Sequence, residues 1–132
     1  MTPLPEEGAE LPILRQFKGR DSHELRAMRA VARDRAAWGR LSLIDEQIDF
    51  DREMALVVTL GRVMSDDYGV CISRVWREGR HLKVEIERVR PRAGAALSPT
   101  APYCVAVVPR CDLNVSGFLA APPAGRDAAT MP

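Results

Sequence analysis

The apolar positions along the chain predict four β-strands. Residues 54–60 form an unbroken apolar run rich in β-branched side chains, which is typical of a central strand covered on both faces. A second strand is predicted over residues 68–76. The segment His81–Val89 alternates apolar and charged side chains, the period of a strand with one exposed face. After a loop rich in Pro, Ala and Gly, the apolar run Tyr103–Pro109 predicts a fourth strand.

The turn between the second and third strands allows two registers. A three-residue loop over residues 77–79, with its glycine in the left-handed conformation, places Trp76 opposite Arg80 and turns Val70 and Ile72 toward the core. A two-residue loop shifts the pairing by one position and turns the same aliphatic side chains outward. We expect the first register, because it buries two branched aliphatics and lets the indole stack on the arginine.

Residues 21–41 are compatible with two interpretations. Intrinsic propensities favour one helix, with Asp21 or Ser22 as its N-cap. The alternative is a strand over residues 24–32 followed by a short helix over residues 34–41. The residues alone leave both open.

Both ends of the chain are rich in Pro, Ala and Gly and poor in core-forming residues, so we expect tails at residues 1–12 and 119–132. The 132 residues then predict one domain over residues 13–118. The N-terminus lacks the basic stretch of a signal peptide and no apolar run is long enough to span a membrane. We therefore expect a soluble chain that is cytoplasmic by default.

The formal net charge of +1 gives no overall attraction to nucleic acid or to an anionic membrane. The balance conceals two segments of opposite sign. Residues 15–40 carry a net charge of +5, and residues 45–53 carry −4. We expect these segments to pair with each other in the fold rather than bind nucleic acid, since no RNA- or DNA-binding motif accompanies the arginines.

The three cysteines do not predict a disulfide framework or a zinc site. Cys71, Cys104 and Cys111 are an odd number without CxxC spacing, and we interpret them as small core or strand residues. A catalytic cysteine needs a histidine held in a defined orientation. Neither His23 nor His81 lies in a recognisable catalytic motif, so we expect no enzyme activity.

Acidic residues at alternate positions resemble the beginning of a calcium-binding loop. Asp49, Asp51 and Glu53 have that spacing, but the glycine required by an EF-hand is missing at its offset. They fit the exposed side of a strand entrance better. No glycine-rich phosphate-binding motif is present. The sequence therefore predicts neither a metal nor a cofactor.

The remaining candidates are residues suited to protein interfaces. Aromatic and arginine side chains are the usual anchors of such contacts, and the loop over residues 62–69 connects the first two predicted strands. The predicted partner-binding residues are Ser65, Asp66, Asp67, Tyr68, Gly69, Trp76, Arg80 and Tyr103.

The order of these blocks resembles a known family. The chain reads "DFDREMALVVTLG", then a loop ending in Tyr68-Gly69, then "VCISRVWREGRHLKVEIERVRP" and "ALSPTAPYCVAVVPR". This order is similar to the C-terminal domain of PrcB, a subunit of a bacterial protease complex, and the block "RDRAAWGRL" resembles the short helix that precedes that domain. The resemblance covers residues 33–112. It implies a small β-rich domain without chemistry of its own, associated with protein complexes, and it favours the strand-and-helix interpretation of residues 24–41.

One position departs from that family. Where PrcB-like domains typically have Thr-Gly-Gly-Tyr, this chain has Ser65-Asp66-Asp67-Tyr68, followed by Gly69. Aspartate tolerates turn geometry but adds charge. A Thr-Gly-Tyr loop between strands also resembles the chagasin-like inhibitors of cysteine proteases, in which such a loop enters the protease cleft.

The sequence thus predicts a mainly β fold, a small antiparallel β-sandwich or partly open barrel with one short helix and extended termini. The expected function is a non-enzymatic protein-interaction module that stabilises or decorates a larger assembly. Its partners would be other protein subunits, in a large complex or a protease. The alternative is a protease-inhibitor-like binder that acts through the loop over residues 62–69.

Overall fold

The computed structural model describes residues 4–22, 26–41, 43–64, 68–90 and 97–120. In these ranges the chain forms eight strands and one helix. In chain order they are β1 (Glu10–Leu11), β2 (Arg15–Gly19), β3 (Ala27–Ala32), α1 (Arg35–Leu41), β4 (Glu53–Leu60), β5 (Gly69–Glu78), β6 (His81–Val89), β7 (Tyr103–Pro109) and β8 (Asn114–Val115).

The strands form two four-stranded sheets. Sheet A has the order β1-β5-β6-β8, and sheet B has the order β2-β7-β4-β3. All pairs are antiparallel except β6 with β8. The predicted mainly β fold is confirmed, and the two sheets pack as a sandwich rather than as a closed barrel.

The main core lies between the two sheets. Alternate side chains of β4 and β7 point to one face of sheet B and meet the inner face of sheet A. Leu56 and Val58 of β4 and Ile72, Val75 and Leu82 of sheet A are all buried there. Burial of branched aliphatic side chains at this interface is the principal stabilising contribution to the fold.

A second apolar layer covers the opposite face of sheet B. Val57 and Val105 point to that face and pack against Ala37 and Trp38 of α1 and against Ile48 in the connection to β4. Strand β4 is therefore buried on both sides, with every side chain from Met54 to Thr59 excluded from solvent. This confirms the central strand predicted from the unbroken apolar run.

The segment before β4 is a strand followed by a helix. Strand β3 occupies Ala27–Ala32 and pairs with β4, and α1 begins directly afterwards. Asp34 caps the helix, because its Oδ1 accepts a hydrogen bond of 2.8 Å from the amide of Ala37. The single-helix interpretation of residues 21–41 is wrong, since β3 completes the edge of sheet B. No helix in the described ranges is long and apolar enough to cross a membrane.

The predicted hairpin register is wrong. The loop consists of Gly79 and Arg80 alone, with a positive φ of 65° at the glycine, so Trp76 pairs with Lys83 rather than with Arg80. A positive φ at the first position of a two-residue loop is common to the type I′ and type II′ turns that close most tight hairpins. Because of this turn, the residue opposite Trp76 lies three positions further along the chain than predicted.

A bulge in β5 lets both ends of the strand face the core. The register shifts between Ile72 and Arg74, so that Ser73 is the additional residue. Val70 and Ile72 before the bulge and Val75 after it are buried, although their spacing changes from two to three. A regular strand cannot place all three on one face, and the bulge removes that conflict.

The N-terminal segment passes from one sheet to the other. Leu11 of β1 pairs with Val75 in sheet A, and the amide of Leu14 already donates to Val107 in sheet B, at 2.8 Å. The predicted tail over residues 1–12 thus includes a strand with a buried leucine. At the other end, Leu119 forms a bridge to Ala30, while residues 121–132 lie outside the described ranges.

Gln16 links the two sheets where the chain crosses. Its amide Nε2 donates to the carbonyl of Ile72 at 2.9 Å, and its Oε1 accepts from the amide of Ile72 at 2.8 Å. The same Oε1 lies 2.8 Å from the Sγ of Cys104. The side chain of Gln16 therefore takes the place of a neighbouring strand for one residue of β5, beyond the end of β1.

Candidate functional site

The loop predicted as an interaction site is described only at its ends. Ser65, Asp66 and Asp67 lie outside the described residues. Tyr68 is half-buried just before β5, and Gly69 begins that strand opposite Val89.

Two of the predicted residues line one cleft at this end of the sandwich. Gly69 and Tyr103 belong to different sheets, and both border a cavity of about 270 Å³ together with Lys18 and Arg20. The sequence analysis did not predict that Gly69 and Tyr103 lie close together, because they begin strands that are far apart in the chain. The cleft has two basic side chains and no acidic one among the described residues.

Tyr103 forms a wall of the cleft rather than an exposed anchor. The residue is 8% exposed, and its ring lies against Gly19 so closely that a Cβ there would fall 2.5 Å from the tyrosine Cε1. Burial raises the pKa of the Tyr103 hydroxyl, and the nearby charge of Asp21 raises it further. The phenol therefore remains protonated and packs as a large, mostly apolar side chain.

Trp76 belongs to a different region, on the outer face of sheet A. We name this region the Trp76 surface and define it by Glu10, Arg74, Trp76 and Glu78. The guanidinium carbon of Arg74 lies 4.6 Å from the centroid of the indole ring, and Arg74 also forms an ion pair with Glu10. The indole Nε1 donates to Glu78 at 3.2 Å.

These contacts hold the tryptophan in a defined orientation. One ring face is covered by Arg74, and the ring nitrogen is fixed by Glu78, while the residue remains half-exposed. The predicted stacking of Trp76 on Arg80 is wrong, because the two-residue turn carries Arg80 to the tip of the hairpin. Arg74, two positions before the tryptophan on the same strand face, takes that role.

The N-terminal segment supports the hairpin beside the Trp76 surface. Both carboxylate oxygens of Glu7 lie 3.0 Å from the amide of Gly79, which donates to them. Arg77 donates to the carbonyl of Pro5 at 2.6 Å, and the amide of Gly8 donates to the carbonyl of Arg77. Residues 5–8 therefore hold the β5–β6 turn in place.

A further cleft is one that the sequence prediction missed. It has a volume of about 700 Å³ and lies between β2, α1 and the connection to β4. At its wall Arg15 forms two hydrogen bonds to Glu53. The hydrogen bonds from Arg15 hold the pKa of Glu53 below its ordinary value. The opposite net charges of residues 15–40 and 45–53 indicated that these segments attract each other, but they did not show that Arg15 pairs with Glu53.

The calcium-loop interpretation finds no support in this cleft. Among the described residues no group of three or more acidic, histidine or cysteine side chains is placed to hold a metal ion. The carboxylate of Glu53 is engaged by Arg15, and Asp49 contributes its amide to Glu53 at 3.2 Å. The arginine supplies the positive charge that the carboxylate needs.

The cysteines are all free, and their surroundings differ. Cys104 is fully buried, and burial raises the pKa of its thiol to about 11. A thiol with that pKa is not a nucleophile at neutral pH. Cys111 is also buried, whereas Cys71 is half-buried on the outer face, with its Sγ 3.8 Å from a carboxylate oxygen of Glu87.

Comparisons of the chain with models of protein families, with curated proteins and with solved structures found no match.

Proposed function

We propose that this protein is a non-enzymatic interaction module that stabilises or decorates a larger protein assembly. The observation that supports this function best is the Trp76 surface. Tryptophan and arginine are the side chains that most often dominate binding energy at protein interfaces. Here they are stacked on each other and held by Glu10 and Glu78 before any partner arrives.

The two sheets differ in a way that favours this surface as the contact. Sheet B is covered on one face by sheet A and on the other by α1 and residues 43–50. In the described part of the chain, no element covers the outer face of sheet A. Because the contacts of Trp76 are already formed, its side chain loses less conformational entropy when a partner binds than a flexible side chain would.

The resemblance to PrcB points to the same class of function. In this proposal the chain is a PrcB-like domain whose partners are protein subunits of a larger complex. Residues 33–112 are the part that resembles PrcB. The β-rich domain and the short helix that the resemblance implies fit a scaffold that presents loops and one open sheet face.

Native-cell purification of a tagged full chain tests the proposal. We expect fixed-stoichiometry partners, identified by mass, that give a native mass well above the 14.6 kDa of the chain. Trp76→Ala should remove them while leaving the unfolding midpoint nearly unchanged, because the indole lies outside the core. Arg52→Ala is the matched control, since its side chain is 87% exposed at a distant turn. Elution of the wild-type chain alone, or full retention of partners by Trp76→Ala, contradicts the proposal.

A second candidate is a protease inhibitor that acts through residues 62–69. The base of this loop is fixed, since Val63 and Thr100 exchange two backbone hydrogen bonds of 2.8 Å. Gly69 pairs with Val89 at its other end. Inhibitory loops require such supported ends, because a preorganised loop loses little entropy on entering a cleft.

Titration of papain with the purified chain tests the inhibitor function. Stoichiometric loss of peptidase activity, weakened by Tyr68→Ala and unaffected by Trp76→Ala, is expected if the loop binds the protease cleft. Unchanged peptidase activity at equimolar and tenfold excess would reject this candidate for papain-like enzymes.

A further inference from the structure

The open side of the sandwich contains a groove with a distinct charge. It lies between the edge strand β3 of sheet B and Arg88, near the end of β6 in sheet A, and its volume is about 400 Å³. We name it the arginine groove, because Arg26, Arg29 and Arg88 all border it.

The groove arises from the path of the chain after β8. Strand β8 pairs with β6 only at His81 and Leu82. The chain then leaves sheet A and reaches sheet B, where the amide of Leu119 donates to the carbonyl of Arg29 at 2.8 Å. Beyond Leu82, no strand of the described chain covers the outer edge of β6.

An uncovered strand edge has a defined binding capacity. Its main-chain amides and carbonyls can form hydrogen bonds with an added strand, and extended peptides bind to proteins in this way. In β6 the free stretch runs over residues 83–89, long enough for three or four ladder hydrogen bonds. Leu119, which is 50% exposed, adds an apolar contact at the end of the groove.

The charged side chains in the described lining of the groove are all basic. No acidic side chain of the described residues lines it, and none of the ion pairs found in the described ranges involves Arg29 or Arg88. The carboxylates of β6 itself lie on the other face of the sheet. Glu85 accepts from Ser73 at 2.9 Å and Glu87 lies beside Cys71.

We propose that the arginine groove binds an acidic, extended segment of a partner protein, which adds to the free edge of β6. Main-chain pairing gives such a segment its orientation, and the guanidinium groups select carboxylate side chains.

Other occupants fit the groove less well. A second copy pairing edge to edge would bring two sets of arginines together, and like charges across an interface are unfavourable. The chain's own residues 121–132 contain one aspartate and one arginine, so they supply no net negative side-chain charge. A nucleic acid would satisfy the arginines but not the strand edge.

Fluorescence anisotropy with the full chain tests the proposal. The probe is a labelled nine-residue peptide of alternating Val and Glu, and the matched peptides replace Glu by Gln or Lys. We expect binding of the Glu peptide only, weakened at least fivefold when NaCl rises from 50 to 300 mM, in accord with charge screening. Arg29→Ala and Arg88→Ala should each weaken it about fivefold, and Arg52→Ala should not.

Two further measurements separate strand addition from simple charge attraction. Methylation of alternate peptide nitrogens should abolish binding, and the bound peptide should slow hydrogen exchange at the amides of Val84 and Ile86. Equal binding of the Lys peptide, unchanged affinity in both groove variants, or full binding of the methylated peptide would overturn the proposal. So would tighter, groove-dependent binding of oligothymidylate, or a tenfold gain in peptide affinity on removal of residues 121–132.

This inference is independent of the proposed assembly function. Peptide binding depends on Arg29 and Arg88, whereas co-purification of partners is tested at Trp76 on the outer face of sheet A. Failure of either experiment therefore leaves the other result interpretable.

Discussion

Arg15 and Glu53 form a bidentate pair that spans strand β7. The Nη1 of Arg15 donates to Oε2 of Glu53 at 3.1 Å, and its Nη2 donates to Oε1 at 2.9 Å. Arg15 lies on β2 and Glu53 on β4, the two strands that flank β7 in sheet B. The ion pair is one contact of the kind expected between the positive segment 15–40 and the negative segment 45–53. The glutamate side chain is only 16% exposed, which limits screening by solvent.

Replacement of Glu53 by Gln should lower stability at neutral pH. We expect a loss of about 1 kcal/mol in the free energy of unfolding, because the charge assistance disappears while the shape is kept. The folded-state pKa of Glu53 lies below its unfolded value, so its contribution is complete above the unfolded pKa and is lost as the pH falls through the folded pKa. Urea unfolding from pH 7 to pH 3 should show the difference between wild type and variant shrinking below pH 4.5.

Asp51→Asn is the control for this effect, because Asp51 is exposed on the adjacent turn. Its stability difference from wild type should change little over the same pH range. A difference between wild type and Glu53→Gln that stays constant down to pH 3 would contradict the role assigned to the ion pair.

Gln16→Leu should destabilise the sandwich. The substitution leaves the amide and carbonyl of Ile72 without their partner at a half-buried position, which costs about 2 to 3 kcal/mol. Urea unfolding measures the loss, and hydrogen exchange at the Ile72 amide should accelerate. Gln47→Leu, at an exposed position, is the matched control. Wild-type stability in Gln16→Leu would show that the link between the sheets is dispensable.

Gly19→Ala should lower stability through a steric clash with Tyr103. The added Cβ would lie 2.5 Å from the ring, and accommodating it costs about 1 to 3 kcal/mol. The loss should be smaller when Gly19→Ala is made in a Tyr103→Ala background, as a double-mutant cycle by thermal unfolding would show.

Gly39→Ala provides the opposite result in the same assay. Gly39 lies in α1, and nothing is within 4 Å of an added Cβ, so alanine should stabilise the protein by about 0.5 to 1 kcal/mol.

Additive losses in the Gly19 and Tyr103 double variant would contradict the proposed contact between Gly19 and the ring of Tyr103.

The thiols should react in a defined order. In the folded protein at pH 8, an aromatic disulfide reagent should modify Cys71 first, because Cys104 and Cys111 are buried and the raised pKa of Cys104 keeps its thiol protonated. Cys71→Ser should remove the fast phase, whereas Cys104→Ser should leave it. All three thiols should react rapidly in denaturing urea. A fast phase that persists in Cys71→Ser would show that a buried thiol becomes accessible.

Local pattern was sufficient for several elements. The bounds of β6 and β7 coincide with the predicted ones, and β4 begins one residue earlier, because periodicity and flanking Gly or Pro are encoded within each segment. The end of β3 coincides with the predicted one and α1 begins one residue later than predicted, although choosing strand and helix over one long helix required the resemblance.

The site could be predicted only in part. Residue type indicated Trp76 and Tyr103, but not that the first is exposed beside Arg74 and the second is packed on Gly19. The arginine groove was not predicted, because it depends on where β8 leaves sheet A. Sequence distance gives no information on which strand edges remain uncovered.

The sequence by itself thus determined the β-rich class and the central strand β4, since these depend on neighbours in the chain. The tertiary structure decided the β5–β6 register, the bulge at Ser73 and the choice of Glu53 as the partner of Arg15. Each of these depends on packing between segments that are distant in sequence. A one-residue shift exchanges the two faces of a strand, and only the opposite sheet, with Gln16 and the buried aliphatics in place, selects which face is buried.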